Sequence, residues 1–200
     1  MKKSKIAIEL SKLKGFRNPK ISLEQYMTPP ELAADILHNA YMQDDVEGKE
    51  VLDLGTGTGI LAIGAALLGA DVTAVEKDEE ALEIAKENAG KAEVKEFIDF
   101  QKRDISEIRE KHDTVLMNPP FSVHSDEGMT FLEKAFFSGR KVYSVIYNGK
   151  DRSIKDFIEE SPHELLNWEN YEISLPATYG FHIEESKDVK VGVFITSEKD

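Results

Sequence analysis

The sequence predicts a single α/β domain built around a mostly parallel sheet. From Glu50 onward, short apolar strands alternate with amphipathic helices, a pattern typical of βαβ units whose sheet is covered on both faces. The chain has 200 residues, 40% of them hydrophobic and 32% charged, which suits one globular domain with its own core. Near the C-terminus two strands follow each other without a convincing helix between them, so we expect an antiparallel hairpin at one edge of the sheet.

Seven strands are predicted along the chain, each as a short apolar run. Residues 51–54 and 71–76 form the first two, with a helix from Ile60 to about residue 70 between them, and a further helix follows at residues 79–89. The other strands are predicted at residues 98–102, 114–117, 142–147, 171–175 and 189–196. The last two of these would form the hairpin.

Residues 1–46 are predicted to form a helical, basic extension in front of the α/β domain of residues 47–200. Apolar residues near helical spacing predict a first helix over residues 4–14, which stops at Gly15. Thr28, two prolines and Glu31 then resemble a capped helix start, because Thr accepts an N-cap hydrogen bond and Pro is tolerated in the first turn. That second helix is predicted to run to about Tyr41.

The charge is unevenly distributed. Residues 1–20 carry seven Lys and Arg residues against Glu9, a net charge of +6, which leaves −19 for residues 21–200 out of the total of −13. The overall acidity argues against nucleic acid as a partner, since neutralised phosphates supply most of that affinity. The basic segment is therefore open to three interpretations: a solvated tail, a helix docked through its apolar residues, or an electrostatic contact for an anionic substrate.

Composition also excludes several classes of protein. The absence of Cys excludes disulfides, thiolate zinc sites and cysteine nucleophiles, and it favours the reducing cytoplasm as the location. No apolar run is long enough to span a membrane, and Lys residues interrupt the apolar positions at the N-terminus, so neither a membrane span nor secretion is expected. We expect no metal site either, because the histidines His38, His112, His124 and His163 are scattered along the chain.

A glycine-rich loop follows the first strand. Gly55, Gly57 and Gly59 allow the backbone to approach a ligand closely, and the helix that begins near Ile60 offers unpaired N–H groups at its start. A dinucleotide-binding loop would have the spacing G-x-G-x-x-G, with room for a pyrophosphate. Here the spacing is G-x-G-x-G, and the preceding Asp53 would repel a pyrophosphate but would pair with an ammonium group. The loop therefore predicts a ligand that carries a cationic group.

Acidic residues stand at the carboxyl ends of the next two strands. Glu76 closes the second strand, 21 residues after Gly55, where nucleoside-binding α/β folds place the acid that binds ribose hydroxyls. Residues 78–80 are also acidic, but we interpret them as capping the first turn of the next helix. Asp104 ends the third strand at the same edge of the sheet, and we favour a ligand-binding role for it over simple capping.

A rigid turn, Asn118-Pro119-Pro120-Phe121, follows the strand of residues 114–117. The two prolines fix φ and remove backbone donors, so the Asn118 amide and the nearby carbonyl groups are held as acceptors. Such a turn is suited to binding an NH₂ group. Together with the glycine loop, it resembles the amino-group methyltransferases that depend on S-adenosylmethionine.

The two ends of the chain extend this resemblance. The segment Leu23-Glu24-Gln25-Tyr26 with Thr28, and the segment from Leu175 to His182, are similar to the methyltransferase-like protein five family, which makes N6-methyladenosine in small-subunit ribosomal RNA. The similarity covers nearly the whole chain. The lack of Cys, the few Gln residues and the many Glu and Lys residues resemble an archaeal member more than an animal one. Two departures are Thr56 and Thr58, where animal members have Cys, and Glu76, where they have Asp.

The resemblance implies a Rossmann-like class I methyltransferase fold and S-adenosylmethionine as the cofactor, with the N-terminal extension packed over the cofactor site. The motifs and the resemblance together assign the catalytic role to Asn118, Pro119, Pro120 and Phe121, and substrate binding to Phe121, Tyr179, Phe181 and His182. The assigned cofactor-binding residues are Gln25, Thr28, Asp53, Gly55, Gly57, Thr58, Gly59, Ile60, Glu76, Asp104, Ile105 and Asn118. The implied partners are ribosomal RNA and a small zinc-containing activator protein, which we expect to pair with the third strand at the edge of the sheet.

Three alternatives stay open at this point. The first is N6-adenine methylation of another RNA or of DNA, although DNA enzymes of this kind normally carry a separate recognition domain. The second is N5-glutamine methylation of a protein, which uses a similar turn with Tyr in place of Phe121 and a further N-terminal helical domain. The third is a scaffold that binds the cofactor without catalysis.

Overall fold

The structure, a computed structural model, describes residues 1–120, 127–147, 151–176 and 186–199. Its α-helices are α1 (Lys3–Leu10), α2 (Pro30–Met42), α3 (Ile60–Leu67), α4 (Glu79–Lys91), α5 (Glu127–Ser138) and α6 (Asp151–Glu160). Its strands are β1 (Glu50–Leu54), β2 (Asp71–Glu76), β3 (Ile98–Lys102), β4 (His112–Met117), β5 (Gly139–Tyr147), β6 (His163–Pro176) and β7 (Ser186–Glu198). In the described ranges no helix combines the length and the apolar character needed to cross a lipid bilayer.

The strands form one seven-stranded sheet in the order β3-β2-β1-β4-β5-β7-β6. Strands β1 to β5 are all parallel to one another, whereas β7 is antiparallel to both β5 and β6. The predicted fold class, the C-terminal hairpin and the edge position of β3 are therefore confirmed. Because the strand order reverses between β1 and β4, the loops that follow these two strands diverge and leave a crevice at their carboxyl ends.

Side chains of the central strands alternate between two apolar layers. In β1, Val51 belongs to the layer that α1, α2 and α3 cover, whereas Leu52 belongs to the layer covered by α5 and α6. In β4, Leu116 faces the first layer and Val115 the second. This period of two follows from the pleat of a strand that is buried on both faces.

The N-terminal helix is part of the domain core. Ile6 and Leu10 are fully buried, and they pack in the same apolar layer as Leu37 of α2. Burial of each such side chain stabilises the fold by about 1.5–3 kcal/mol. The interpretation of this segment as a docked apolar helix is confirmed, and the interpretation as a solvated tail is wrong. The division of the chain at residue 46 stays a prediction.

Ion pairs engage most of the basic residues in this segment. Lys3 pairs with Asp35, Lys12 with Glu9, Lys14 and Arg17 with Glu87, and Lys20 with Asp78.

Helix α1 ends at Leu10 rather than at residue 14, because the backbone of Lys14 bonds to the side chain of Asn88 instead of continuing the helix.

The expected Thr28 cap is wrong. Helix α2 begins at Pro30 with Pro29 at its N-cap, and no side chain caps it. The Thr28 hydroxyl instead accepts a hydrogen bond from the Asn118 side chain. A tertiary contact thus replaces the local one that the sequence suggests.

Some elements are longer than predicted or were not predicted. Strand β6 begins at His163 rather than at residue 171, and α5 and α6 were not expected. Residues 164–167 of β6 are exposed, so this edge strand lacks the apolar run by which buried strands are recognised.

Candidate active site

A cavity of about 270 Å³ opens at the carboxyl ends of β1, β2 and β4. The glycine loop, the ends of the strands and the segment between α1 and α2 (residues 11–29, the α1–α2 segment) form its walls. The predicted site residues that line it are Gln25, Thr28, Asp53, Gly55, Gly57, Thr58, Ile60, Glu76, Asp104, Ile105, Asn118 and Pro120. Gly59 and Pro119 do not line the cavity, and Phe121, Tyr179, Phe181 and His182 lie outside the described residues.

Two aromatic rings, those of Phe16 and Phe131, pack against the glycine loop. A Cβ atom on Gly57 would lie 2.9 Å from Cζ of Phe16, and one on Gly55 would lie 2.9 Å from Cε1 of Phe131. Both glycines also have positive φ angles, 77° at Gly55 and 55° at Gly57. Any larger residue would therefore clash with a ring and strain the backbone at the same time.

Asp53 is a buried carboxylate at the floor of the cavity. Its Oδ2 atom accepts hydrogen bonds from the Thr56 hydroxyl at 2.6 Å and from the Ala62 backbone N–H at 2.9 Å. Oδ1 makes no hydrogen bond to any residue in the described part of the chain. Burial raises the pKa of Asp53 to about 7. A nearby cation would oppose this shift and favour the ionised carboxylate. This carboxylate is therefore suited to pair with an ammonium group, as its place beside the loop predicts.

Glu76 closes the side of the cavity at the end of β2. Its two carboxylate oxygens accept backbone hydrogen bonds from Asp78 at 2.8 Å and from Gly57 at 3.0 Å. Burial raises the pKa of Glu76 above its usual value, although these hydrogen bonds oppose the shift. A carboxylate accepts about four hydrogen bonds in all, so the fixed side chain keeps lone pairs for ribose hydroxyls.

Asp78 anchors the α1–α2 segment to α4. It caps the helix by accepting from Glu80 N–H at 3.2 Å, which confirms the capping interpretation. It also accepts from the Gln25 side chain at 2.7 Å and from the Lys20 ammonium at 2.6 Å. The Gln25 Oε1 atom accepts from Lys20 N–H at 2.9 Å, so contacts within the protein engage both ends of the Gln25 amide. A direct Gln25 contact to the cofactor stays a prediction.

The Asn118 amide lies at the end of β4, on the opposite wall. Its Oδ1 atom accepts from the Tyr26 hydroxyl at 2.8 Å, and its Nδ2 group donates to Thr28 Oγ1 at 2.9 Å. Burial raises the pKa of Tyr26 to about 12, so this phenol is protonated and available as a donor. Sequence reasoning missed Tyr26, although its place between two assigned residues, Gln25 and Thr28, was a usable signal.

Asp104 is an exposed residue at the rim of the cavity. It accepts from Ser106 N–H at 2.9 Å, and its bonds to Ser106 hold the pKa of its carboxyl below the usual value. The residue therefore caps the short turn Ile105–Glu107 and lines the cavity as well. Lining residues that sequence reasoning did not assign include Phe16, Tyr26, Thr56, Lys77, Arg103 and Phe131.

The chain is similar to known methyltransferases. The family model described as "Methyltransferase small domain" matches residues 31–143. The rRNA N(6)-adenosine-methyltransferase Mettl5 of Drosophila melanogaster is 36% identical, over 96% of this chain and 94% of that protein. The enzyme METTL5 of Danio rerio, with the same description, is also 36% identical, over 96% of both chains.

A solved structure shares the complete fold. The crystal structure of a Pyrococcus horikoshii protein, described as a candidate RNA methyltransferase, superposes on this chain with a TM-score of 0.93. It is 39% identical in sequence, and the match covers 100% of this chain and 99% of that one. The similarity therefore includes the α1–α2 segment and the C-terminal hairpin in addition to the central sheet.

Proposed function

The chain belongs to the methyltransferase-like protein five family, and on this premise we propose that it methylates the N6 amine of an adenosine in small-subunit ribosomal RNA. Its methyl donor is S-adenosylmethionine. The observation that carries the proposal is the placement of the Asn118 amide on one wall of a cavity whose floor and far side carry Asp53 and Glu76. An acceptor for an amine thus shares a cavity with acids suited to a cationic nucleoside.

The cavity residues fit S-adenosylmethionine, which supplies a methyl group on a positively charged sulfur and also carries an ammonium group and a ribose. Asp53, with one carboxylate oxygen unpaired among the described residues, would hold the ammonium group. Glu76, fixed by two backbone N–H groups, would accept the ribose hydroxyls. The two acids create a negative potential that favours the cationic donor over its neutral product.

Asn118 would act on the acceptor amine. The lone pair of the adenine N6 atom is delocalised into the ring, so this amine is a weak nucleophile. Acceptance of its two N–H bonds by Asn118 Oδ1 and the Pro119 carbonyl draws the nitrogen toward tetrahedral geometry and directs its lone pair at the methyl carbon. The same acceptors stabilise the positive charge that develops on the nitrogen.

The reaction needs no general base in this arrangement. The N6 lone pair forms the new N–C bond as the bond from the methyl carbon to sulfur breaks, and the protonated amine is acidic enough to release its proton to water. The target adenosine has to be unpaired or flipped, because N6 is hydrogen-bonded inside a duplex. We propose that Phe121 stacks on this base and that Tyr179, Phe181 and His182 contact the substrate side.

Methyl transfer from labelled S-adenosylmethionine tests the proposal. The acceptors are small-subunit rRNA fragments, large-subunit rRNA, tRNA, DNA and a glutamine-containing peptide, and the products are identified by nucleoside or amino-acid analysis. We expect N6-methyladenosine in small-subunit rRNA, and we expect Asn118→Ala to abolish it with little change in cofactor affinity. N6-methyladenosine only in another nucleic acid, N5-methylglutamine in the peptide, or cofactor binding without any transfer would each contradict it.

We also propose an activator protein as a partner, bound at the exposed edge of β3. Among the described residues this strand has one neighbour in the sheet, so its outer backbone groups are available to a strand from another chain. Phe97, just before the strand, is 47% exposed, although it is a large apolar residue. The bound partner would cover this ring.

Substitution of the β3 edge tests the activator. Phe97→Glu should abolish co-elution with the cognate zinc-containing activator, whereas Phe137→Glu, which alters a 45% exposed ring on α5, should leave it intact. Co-elution that survives Phe97→Glu would place the partner on another surface.

A further inference from the structure

We propose that Tyr26 is a positioning residue for methyl transfer and that its hydroxyl holds the Asn118 side-chain amide in the orientation that receives the target amine. The inference rests on the proposed role of Asn118 and adds a residue to it. The Tyr26 hydroxyl lies 2.8 Å from Asn118 Oδ1, and this contact joins residues 92 positions apart in the sequence.

The two ends of the Asn118 amide have different partners. Tyr26 donates to Oδ1, whereas Thr28 Oγ1 accepts from Nδ2 at 2.9 Å. A carbonyl oxygen has two lone pairs, so the bond from Tyr26 leaves one of them for an N–H of the substrate. If the amide turned over, its NH₂ group would face the substrate amine, and two donors would meet. Because a phenol donates more readily than it accepts, Tyr26 favours the productive orientation.

The residue before Tyr26 is anchored to the opposite wall of the cavity. Its neighbour Gln25 donates to Asp78 at 2.7 Å, and Asp78 lies two residues beyond Glu76, to which it donates its backbone N–H at 2.8 Å. Consecutive side chains of the α1–α2 segment therefore contact the proposed ribose side and the proposed amine acceptor. The backbone of residues 25–26 thus links the Asn118 amide to the cofactor wall.

The test compares Tyr26→Phe with Tyr143→Phe. Each change removes one hydroxyl and keeps the ring, and the Tyr143 hydroxyl donates to Asp45 at 2.7 Å, away from the cavity. We expect Tyr26→Phe to lower kcat by about 10- to 100-fold, with KM for RNA and Kd for the cofactor within about threefold of wild type. Tyr143→Phe should lower Tm but leave kcat within about twofold of wild type.

Two kinetic results would overturn the proposal. Wild-type kcat in Tyr26→Phe would show that packing of the ring is the whole role of Tyr26. A loss of kcat in Tyr143→Phe as large as that in Tyr26→Phe would show that general destabilisation causes both losses.

A spectroscopic measurement separates this proposal from the proposed function. In protein labelled with ¹⁵N at Asn, the Asn118 side-chain resonances are identified by their absence in Asn118→Ala. We expect them to shift and to exchange faster with water in Tyr26→Phe, and to be unchanged in Tyr143→Phe. Unchanged Asn118 resonances in Tyr26→Phe would overturn the contact even in an active enzyme. Wild-type protein that methylates no acceptor would instead refute the proposed function, whatever the Asn118 resonances show.

Discussion

Asn88 and Lys14 exchange two hydrogen bonds between α4 and the α1–α2 segment. Lys14 N–H donates to Asn88 Oδ1 at 2.9 Å, and Asn88 Nδ2 donates back to the Lys14 carbonyl at 2.9 Å. Nδ2 also donates to the carbonyl of Thr58 in the glycine loop, at 2.9 Å. Asn88 is fully buried. One side chain therefore joins the segment that covers the cavity to the loop that forms its floor.

Asn88→Ala should lower the free energy of unfolding by about 2–4 kcal/mol, because it leaves the buried Thr58 carbonyl and two part-buried backbone groups of Lys14 without their partner. Urea unfolding measures the change. Glu83→Ala serves as the control, since Glu83 lies on the same helix and pairs with Lys86 at the surface, and it should cost less than about 0.5 kcal/mol. Similar small losses in both variants would show that the Asn88 contacts contribute little.

Glu76→Gln should weaken binding of S-adenosylmethionine by about 1–3 kcal/mol, because a charged acceptor becomes a neutral one. Isothermal titration calorimetry provides the affinity. The control is Glu79→Gln, which removes an exposed carboxylate that pairs with Lys102 at the end of β3, and it should leave the affinity unchanged. Wild-type affinity in Glu76→Gln would move the ribose contact to another residue.

Affinity for S-adenosylmethionine should increase with pH and level off above about pH 7. Burial raises the pKa of Asp53 to about 7, so below this pH a proton has to leave before the carboxylate pairs with a cation. The expected slope is at most about tenfold per pH unit below the pKa, and binding releases protons. Calorimetry in buffers of different ionisation enthalpy measures this release. An affinity that does not change with pH would contradict the pairing, and Asp53→Asn should abolish the dependence.

In the ligand-free protein, titration of the Asp53 carboxyl lowers stability as the pH rises, whereas it raises cofactor affinity over the same range. Its pKa in the folded state, about 7, lies above the value of 3.8 for an unperturbed Asp, so the folded state binds the proton more tightly than the unfolded state does. The Asp53 contribution to stability is therefore present below about pH 4 and is lost as the pH rises to about 7. Urea unfolding at several pH values should show a steeper decline over this range in wild type than in Asp53→Asn. Parallel curves would contradict the raised pKa.

The basic residues of the N-terminal segment differ in what they contact. Lys2 and Lys5 are exposed and form no ion pair with a described residue, whereas Lys12 pairs with Glu9. We expect a variant with Lys2→Gln and Lys5→Gln to keep its Tm and to bind RNA more weakly, with a salt dependence flatter by roughly one unit per lost phosphate contact. Lys12→Gln is the matched control and should change the slope less. An unchanged slope in the double variant would place the RNA surface elsewhere.

Deletion of residues 1–13 should have a different effect, because it removes Ile6 and Leu10 from the core. The expected result is a clear decrease in Tm, which differential scanning fluorimetry measures. A truncated protein with the Tm of wild type would contradict the packing of α1 against the domain.

Local sequence patterns predicted the parts of the site that depend on strand ends. The glycine loop and Asn118 each follow a strand, Glu76 is the last residue of β2, and the carboxyl ends of parallel strands meet at one edge of a sheet. Their approach to a common cavity therefore follows from the fold class. The alternation of short apolar strands with amphipathic helices predicted that class, because parallel strands buried on both faces read as short apolar runs.

The tertiary structure alone decided which side chains hold these groups in place. Tyr26 contacts Asn118 over 92 residues of sequence, and Lys14 contacts Asn88 over 74. Thr28 shows the difference between local and tertiary contacts. Its sequence neighbours favour a role as helix cap, but in the fold its hydroxyl bonds to the Asn118 amide. Hydrophobic periodicity records which face of an element is buried. It does not record which polar group from a distant segment lies opposite a given side chain, because that depends on how the elements pack.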